Sequence, residues 1–151
     1  MNKTFIEFLI KAKKSTYASA NGDSKKILDD GSKEFVFSEG GYIYRDRYFG
    51  SDPFGGEEIV FFNNKVIWVM NYYGYILDET ISEKEITDFL KQALINVREE
   101  APFRGPAEFN SGNYSYVSSA KGDVDSFVGS ENIFLEKNKV YELNFHGGMI
   151  G

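Results

Sequence analysis

Glu58-Ile59-Val60-Phe61-Phe62, then Asn63-Asn64-Lys65, then Val66-Ile67-Trp68-Val69-Met70-Asn71-Tyr72-Tyr73 is the stretch that decides the fold. Two runs rich in β-branched and aromatic residues flank an Asn-Asn turn, which predicts a β-hairpin. Both runs are almost continuously apolar, and this predicts cover on both faces of the hairpin. Working outward, the same kind of segment returns later in the chain. Phe54, Gly56, Glu58, Val60 and Phe61 are matched by Phe127, Gly129, Glu131, Ile133 and Phe134. Asn64-Lys65-Val66 and Asn71-Tyr72-Tyr73-Gly74 are matched by Asn138-Lys139-Val140 and Asn144-Phe145-His146-Gly147. Upstream, Gly40, Tyr42, Tyr44 and Gly50 reappear as Gly112, Tyr114, Tyr116 and Gly122.

The separation between matched residues runs from 72 to 73 to 74 and back to 73 along the chain. Such slips predict turns of unequal length and a bulge, because a bare slip within a strand would turn every side chain to the other face. By this matching the halves differ at Tyr73 versus His146 and at Trp68 versus Glu142.

A helix precedes each set of strands. In the first, Phe5, Phe8, Leu9 and Ala12 recur at helical spacing after Thr4-x-x-Glu7, a capping-box pattern. In the second, Ser82-x-x-Glu85 caps a stripe of Ile86, Phe89, Leu90, Ala93, Leu94 and Val97, with Ile81 and Ile86 at staple positions. Pro102 prevents its continuation. Residues 15–32 lack periodicity and read as a long loop, either mobile or a lid. The expected fold is therefore α+β: two pseudo-repeated units, each a helix plus an antiparallel meander, over about 4–74 and 82–147. They share one core in a single domain of residues 1–151, with seven or eight strands and two helices.

Composition narrows the function classes. The chain has 151 residues, a net charge of −6, one histidine and no cysteine. The acidic balance argues against a grip on nucleic-acid phosphates, and Lys11, Lys13 and Lys14 read as a solvated helix end. Lack of cysteine removes disulfide, thiolate and zinc-finger chemistry and fits a cytoplasmic location. No run approaches a membrane span, and the amino-terminal stretch reads as a first helix rather than a signal peptide. Aromatic residues make up 17% of the chain. They fit sheet packing first and a binding surface second.

No catalytic motif stands out, so the catalytic residues are unknown at this stage, and no metal or cofactor is expected. Candidate ligand-binding residues are Arg104, His146, Asn71, Tyr73, Glu58 and Asn144. Arg104 lies between Pro102 and Pro106, where a restrained guanidinium suits a carboxylate, a phosphate or an internal salt bridge to Glu58 or Asp46. Asn71, Tyr73, Asn144 and His146 fall at equivalent strand ends. His146 is a candidate acid–base residue. Glu58 and Glu131 would form a carboxylate pair if the two halves brought them together; otherwise each serves its own hairpin.

These motifs carry a family resemblance. Phe8-Leu9-Ile10, Phe54-Gly55-Gly56-Glu57-Glu58, Trp68-x-Met70-Asn71-Tyr72-Tyr73-Gly74, Phe103-Arg104-Gly105-Pro106 and Phe145-His146-Gly147-Gly148 resemble the bacterial domain of unknown function DUF5680. That family occurs alone and behind helix-turn-helix domains of the Xre type, and the resemblance implies a regulatory or sensing role. This sequence shows a single first helix and no helix-turn-helix. The family's recurring residues map to Glu57, Glu58, Asn71, Tyr72, Tyr73, Arg104, His146 and Gly147. The expected function is a small-molecule-binding or sensing module in bacterial regulation, with a small polar ligand. The alternatives are a protein-interaction or homodimerisation domain and an enzyme using His146 with a carboxylate.

Overall fold

The computed structural model describes residues 3–16, 18 and 25–151, and the expectation of a lid or mobile loop falls mainly on residues outside that set. In chain order the elements are α1 (Lys3–Ser15), β1 (Lys26–Ile27), β2 (Lys33–Glu39), β3 (Tyr42–Gly50), β4 (Phe54–Phe62), β5 (Lys65–Ile76), α2 (Glu83–Leu94), β6 (Glu108–Ser111), β7 (Tyr114–Asp123), β8 (Ser126–Leu135) and β9 (Asn138–Met149). The strands form one antiparallel sheet in the order β1-β2-β3-β4-β5-β9-β8-β7-β6. Each half is an unbroken meander, and the halves join where β5 pairs with β9. The α+β class and the helix-plus-meander repeat stand. The sheet has nine strands because Lys26–Ile27 and Glu108–Ser111 each add a short edge.

The seam between halves has local two-fold character. Tyr72 and Phe145 are 73 residues apart, occupy the same position in the repeat, and are direct partners across the β5–β9 ladder. On either side, Asn71 pairs with His146 and Tyr73 with Asn144, so each pair maps onto the other. Gly56 lies opposite Tyr72 and its counterpart Gly129 opposite Phe145. Each central ring lies over a glycine: an added Cβ would stand 2.6 Å from the Tyr72 hydroxyl at Gly56 and 2.4 Å from Phe145 Cζ at Gly129.

Two of the three slips in the repeat resolve differently. The step from 72 to 73 is a real difference in turn length: Gly50 pairs with Phe54, whereas Gly122 pairs with Phe127. The step to 74 is not present in the fold. Both hairpins carry the same bulge, between Val60 and Phe61 and between Ile133 and Phe134, and both turn in two residues. Hence Trp68 corresponds to Tyr141, not Glu142. The shared Asn-Lys-Val letters misled because they are one residue out of structural register.

Tyr42, Tyr44, Val60, Trp68, Met70, Tyr116, Ile133, Leu143 and Phe145 all point into the core, from even-numbered positions on β3–β5 and β7 and odd-numbered ones on β8 and β9. The two helices lie on this inner face. Phe5 and Phe8 of α1 meet Trp68 and Tyr42, and Phe89 of α2 meets Phe109 and Tyr114. Ser82 caps α2 by accepting from Glu85 N at 3.1 Å. Thr4 lies inside α1 rather than before it.

Neither helix crosses to the outer face of the sheet. The second cover expected for the central hairpin is absent among the described residues. Ile59, Phe61 and Val69 are half-buried there, in part by long neighbouring side chains such as Arg45, whose guanidinium lies 5.3 Å from the Phe61 ring centre.

Candidate functional site

β3 carries Tyr42, Tyr44, Asp46 and Tyr48 on one face, by simple alternation. Asp46 is thus placed inside a wall of aromatic rings. Its direct partner on β4 is Glu58, on the same inner face. Two carboxylates set opposite one another and buried this deeply repel unless other groups intervene.

Those groups come from outside the sheet. Lys13 of α1 is fully buried and donates to Glu58 Oε1 at 2.5 Å and to the Phe103 carbonyl at 2.6 Å. It falls on the apolar stripe of α1, eight residues after Phe5 and four after Leu9, so it enters the core instead of ending a solvated helix. Burial lowers its pKa, against the pull of Glu58. Glu58 Oε2 has no hydrogen-bond partner among the described residues.

Arg104 forms the matching pair in the second half. Its Nε and Nη2 donate to Glu131 at 3.1 and 2.7 Å. Tyr116 and Tyr141 also donate to Glu131, at 2.6 and 2.8 Å, and Tyr116 accepts from Gly105 N at 2.9 Å. Arg104 therefore binds neither Glu58 nor Asp46 directly. Each repeat buries one glutamate at the same position and neutralises it with a cation from the segment before its meander.

The centre of the molecule links these clusters. Tyr72 donates to Asp46 Oδ1 at 2.5 Å, and the Arg104 guanidinium lies 5.4 Å from the Tyr72 ring centre. Desolvation, and then the Glu58 charge, push the Asp46 pKa up to about 7; the Tyr72 bond, Arg104 and Lys13 oppose the shift. Burial raises the Tyr72 hydroxyl well above the ordinary tyrosine value, so it remains a donor.

Asp46, Tyr72 and Arg104 border a cavity of about 340 Å³ between α2 and the first meander. Phe35, Tyr48 and Phe54 form one wall; Thr87, Leu90 and Leu94 of α2 form the other. Lys25, Lys33 and Lys91 border it as well, with Glu83 at the start of α2. Its size falls at the lower end of ordinary small-ligand pockets, roughly 300–1,000 Å³.

The sheet divides the six residues singled out from the sequence. Arg104 and Glu58 are buried on the inner face. Asn71, Tyr73, Asn144 and His146 lie on the outer face, where Tyr73 is 54% exposed. Alternation alone puts His146 on the opposite face of the sheet from Glu58 and Glu131, so neither of these two carboxylates is its acid–base partner. Asp46 and Lys13 were missed as site residues, although both carried a signal: an acid on an aromatic strand face and a lysine on an apolar helix stripe. Lys33 and Lys91 carried none, because only the fold brings β2 and α2 to one rim.

Among the described residues no group of three or more His, Asp or Glu side chains is placed to hold a metal ion, and no helix is long and apolar enough to cross a membrane. A family model described as "Domain of unknown function (DUF5680)" matches residues 46–150, well over half of the chain. No curated protein and no solved structure matches it.

Proposed function

For this chain, which belongs to the DUF5680 family, we propose a small-molecule-binding module of the kind that serves as a ligand sensor, with the cavity between α2 and the first meander as its site. The observation that carries this reading is the buried Asp46–Tyr72 pair forming part of the lining of an otherwise largely apolar cavity. A mostly apolar hollow with a few fixed polar groups is the usual form of a small-ligand site. Burying a carboxylate beside Glu58 is costly, and a binding role gives that cost a purpose.

A fragment screen by thermal shift and amide NMR tests the reading. Bound fragments should perturb the amides of Tyr48, Thr87 and Arg104, and Thr87→Trp, which fills the cavity from α2, should abolish the effect while leaving the fold intact. Fragments that perturb only the outer face, or that bind Thr87→Trp as well as the native protein, would overturn it.

A second reading, a homodimer through the outer sheet face, is favoured by one observation. Phe49, Tyr73 and Val128 are each more than half exposed there, on a face that neither helix covers. Sedimentation across a range of concentrations decides it: a concentration-dependent dimer supports the reading, and a strict monomer removes it.

A further inference from the structure

The charges around the cavity run against the charge of the protein. The chain carries −6 overall, yet Lys25, Lys33 and Lys91 gather at this opening. None of the three has a carboxylate partner among the described residues; Lys33 donates only to the Gly50 carbonyl, at 3.3 Å, and lies 5.4 Å from the Tyr48 ring centre. Elsewhere on the surface, lysines do find acids: Lys11 pairs with Glu39, Lys84 with Asp88 and Lys139 with Glu142. Among the described residues Glu83 is the one acid on the rim, and none of the rim lysines lies in ion-pair range of it.

Between rim and floor the walls are apolar on both sides, with the rings of Phe35, Tyr48 and Phe54 facing Leu90 and Leu94. At the floor, Tyr72 occupies Asp46 Oδ1, and the carboxyl group offers its second oxygen for a further hydrogen bond.

We propose that the ligand is a small ring-bearing acid, its carboxylate or phosphate held by Lys25, Lys33 and Lys91, its ring between the aromatic and leucine walls, and a hydroxyl at the far end bonded to Asp46. This rests on the cavity being a ligand site. The length of the molecule is set by the distance from rim to floor, and its polarity by the order rim lysines, apolar wall, Asp46; the Arg104 guanidinium beside that floor is already bonded to Glu131. Uncharged or cationic relatives lose the rim contacts, and ring-less acids lose the walls. Binding weakens as salt rises, because the rim lysines are open to solvent.

The test is calorimetry on the full chain with 4-hydroxyphenylacetate and 4-hydroxyphenyl phosphate as the two acid types, 4-hydroxyphenethyl alcohol as the neutral relative and tyramine as the cationic one. The acids should bind at least about tenfold more tightly than the alcohol, a factor equal to one charge-assisted contact. The variant K33Q/K91Q, altered at two partly solvent-open positions, should remove that preference, so that acids and alcohol bind it alike. The two acid arms show whether carboxylate or phosphate is preferred. Equal binding of acid, alcohol and amine, or an acid preference that survives K33Q/K91Q, would overturn the ligand class while leaving the cavity as a site. Absence of binding by all four would overturn both.

Discussion

Tyr72 and Phe145 stand opposite one another at the seam of the sheet, at the same position in the two repeats, and differ by one hydroxyl group. That hydroxyl donates to Asp46. The corresponding position to Asp46 in the second half is Ser118, 72 residues on, and it is not buried. The break in symmetry that creates the cavity floor is therefore a matched pair of changes on β3 and β5, the two strands that flank β4.

Tyr72→Phe restores the symmetry at the seam and removes one donor from a buried carboxylate. The expected cost is about 1.5–3 kcal/mol at pH 8, as for a hydrogen bond to a charged group. Because the Tyr72 bond holds the Asp46 pKa down, the variant should titrate Asp46 at higher pH than the native protein. Carboxyl ¹³C NMR reads this directly; an unchanged or lowered titration point would contradict the assignment of the bond.

Asp46 has a defined effect on stability against pH. Its folded pKa, about 7, lies above its ordinary value of 3.8. Between those values the folded protein holds a proton that the unfolded chain has released, so stability falls as pH rises through this window and levels off above it. Asp46→Asn removes the titration while keeping an acceptor for Tyr72. It should stabilise the protein at pH 8, by on the order of 1–4 kcal/mol, and give no gain at pH 4. Calorimetric Tm values at the two pH values check the sign, and equal gains at both would refute it.

The two buried ion pairs should respond differently to removal. Lys13→Met leaves Glu58 buried without its cation and should cost about 3–5 kcal/mol, whereas Lys13→Met with Glu58→Met should recover most of that. Arg104→Met should cost a similar amount, but adding Glu131→Met should not restore stability. It strips Tyr116 and Tyr141 of the acceptor both now share, and orphaned buried hydroxyls are costly. Denaturant titration of the four variants separates the cases; equal recovery in the two double variants would contradict the network around Glu131.

Gly56 and Gly129 make a matched test of the seam. At Gly56 a Cβ would meet the Arg47 carbonyl at 2.5 Å as well as the Tyr72 hydroxyl, and at Gly129 it would meet the Ser119 carbonyl at 2.6 Å as well as the Phe145 ring. Alanine at either position should destabilise by about 1–3 kcal/mol through overpacking. Only Gly56→Ala should also shift the Asp46 titration, since only there does the displaced ring carry the hydroxyl. A shift in both variants would mean that the effect spreads through the sheet.

How much was legible follows from the range of each interaction. Alternation in Tyr42–Tyr48 and the stripe of Ile86, Phe89 and Leu90 are local patterns, and local patterns survive in the letters. They disclosed the two helices, the meanders and the duplication. The letters Asn-Lys-Val pointed to the wrong hairpin register, because turn residues recur for local conformational reasons whatever their alignment. The resemblance identified Arg104, Glu58 and His146 together, yet the letters carry no account of which sheet face a residue occupies relative to a distant strand.

The sequence by itself determined that this protein is an α+β repeat of helix and meander, because helical and strand periodicities are set within a few residues. Only the tertiary structure decided that β5 and β9 close the two halves into one sheet, that His146 and Glu58 lie on opposite sides of it, and that Lys13 is buried against Glu58. It alone also brought Lys25, Lys33 and Lys91 around a cavity bordered by Asp46 and Tyr72. Those facts depend on packing between residues tens of positions apart, where desolvation and charge act through space rather than along the chain.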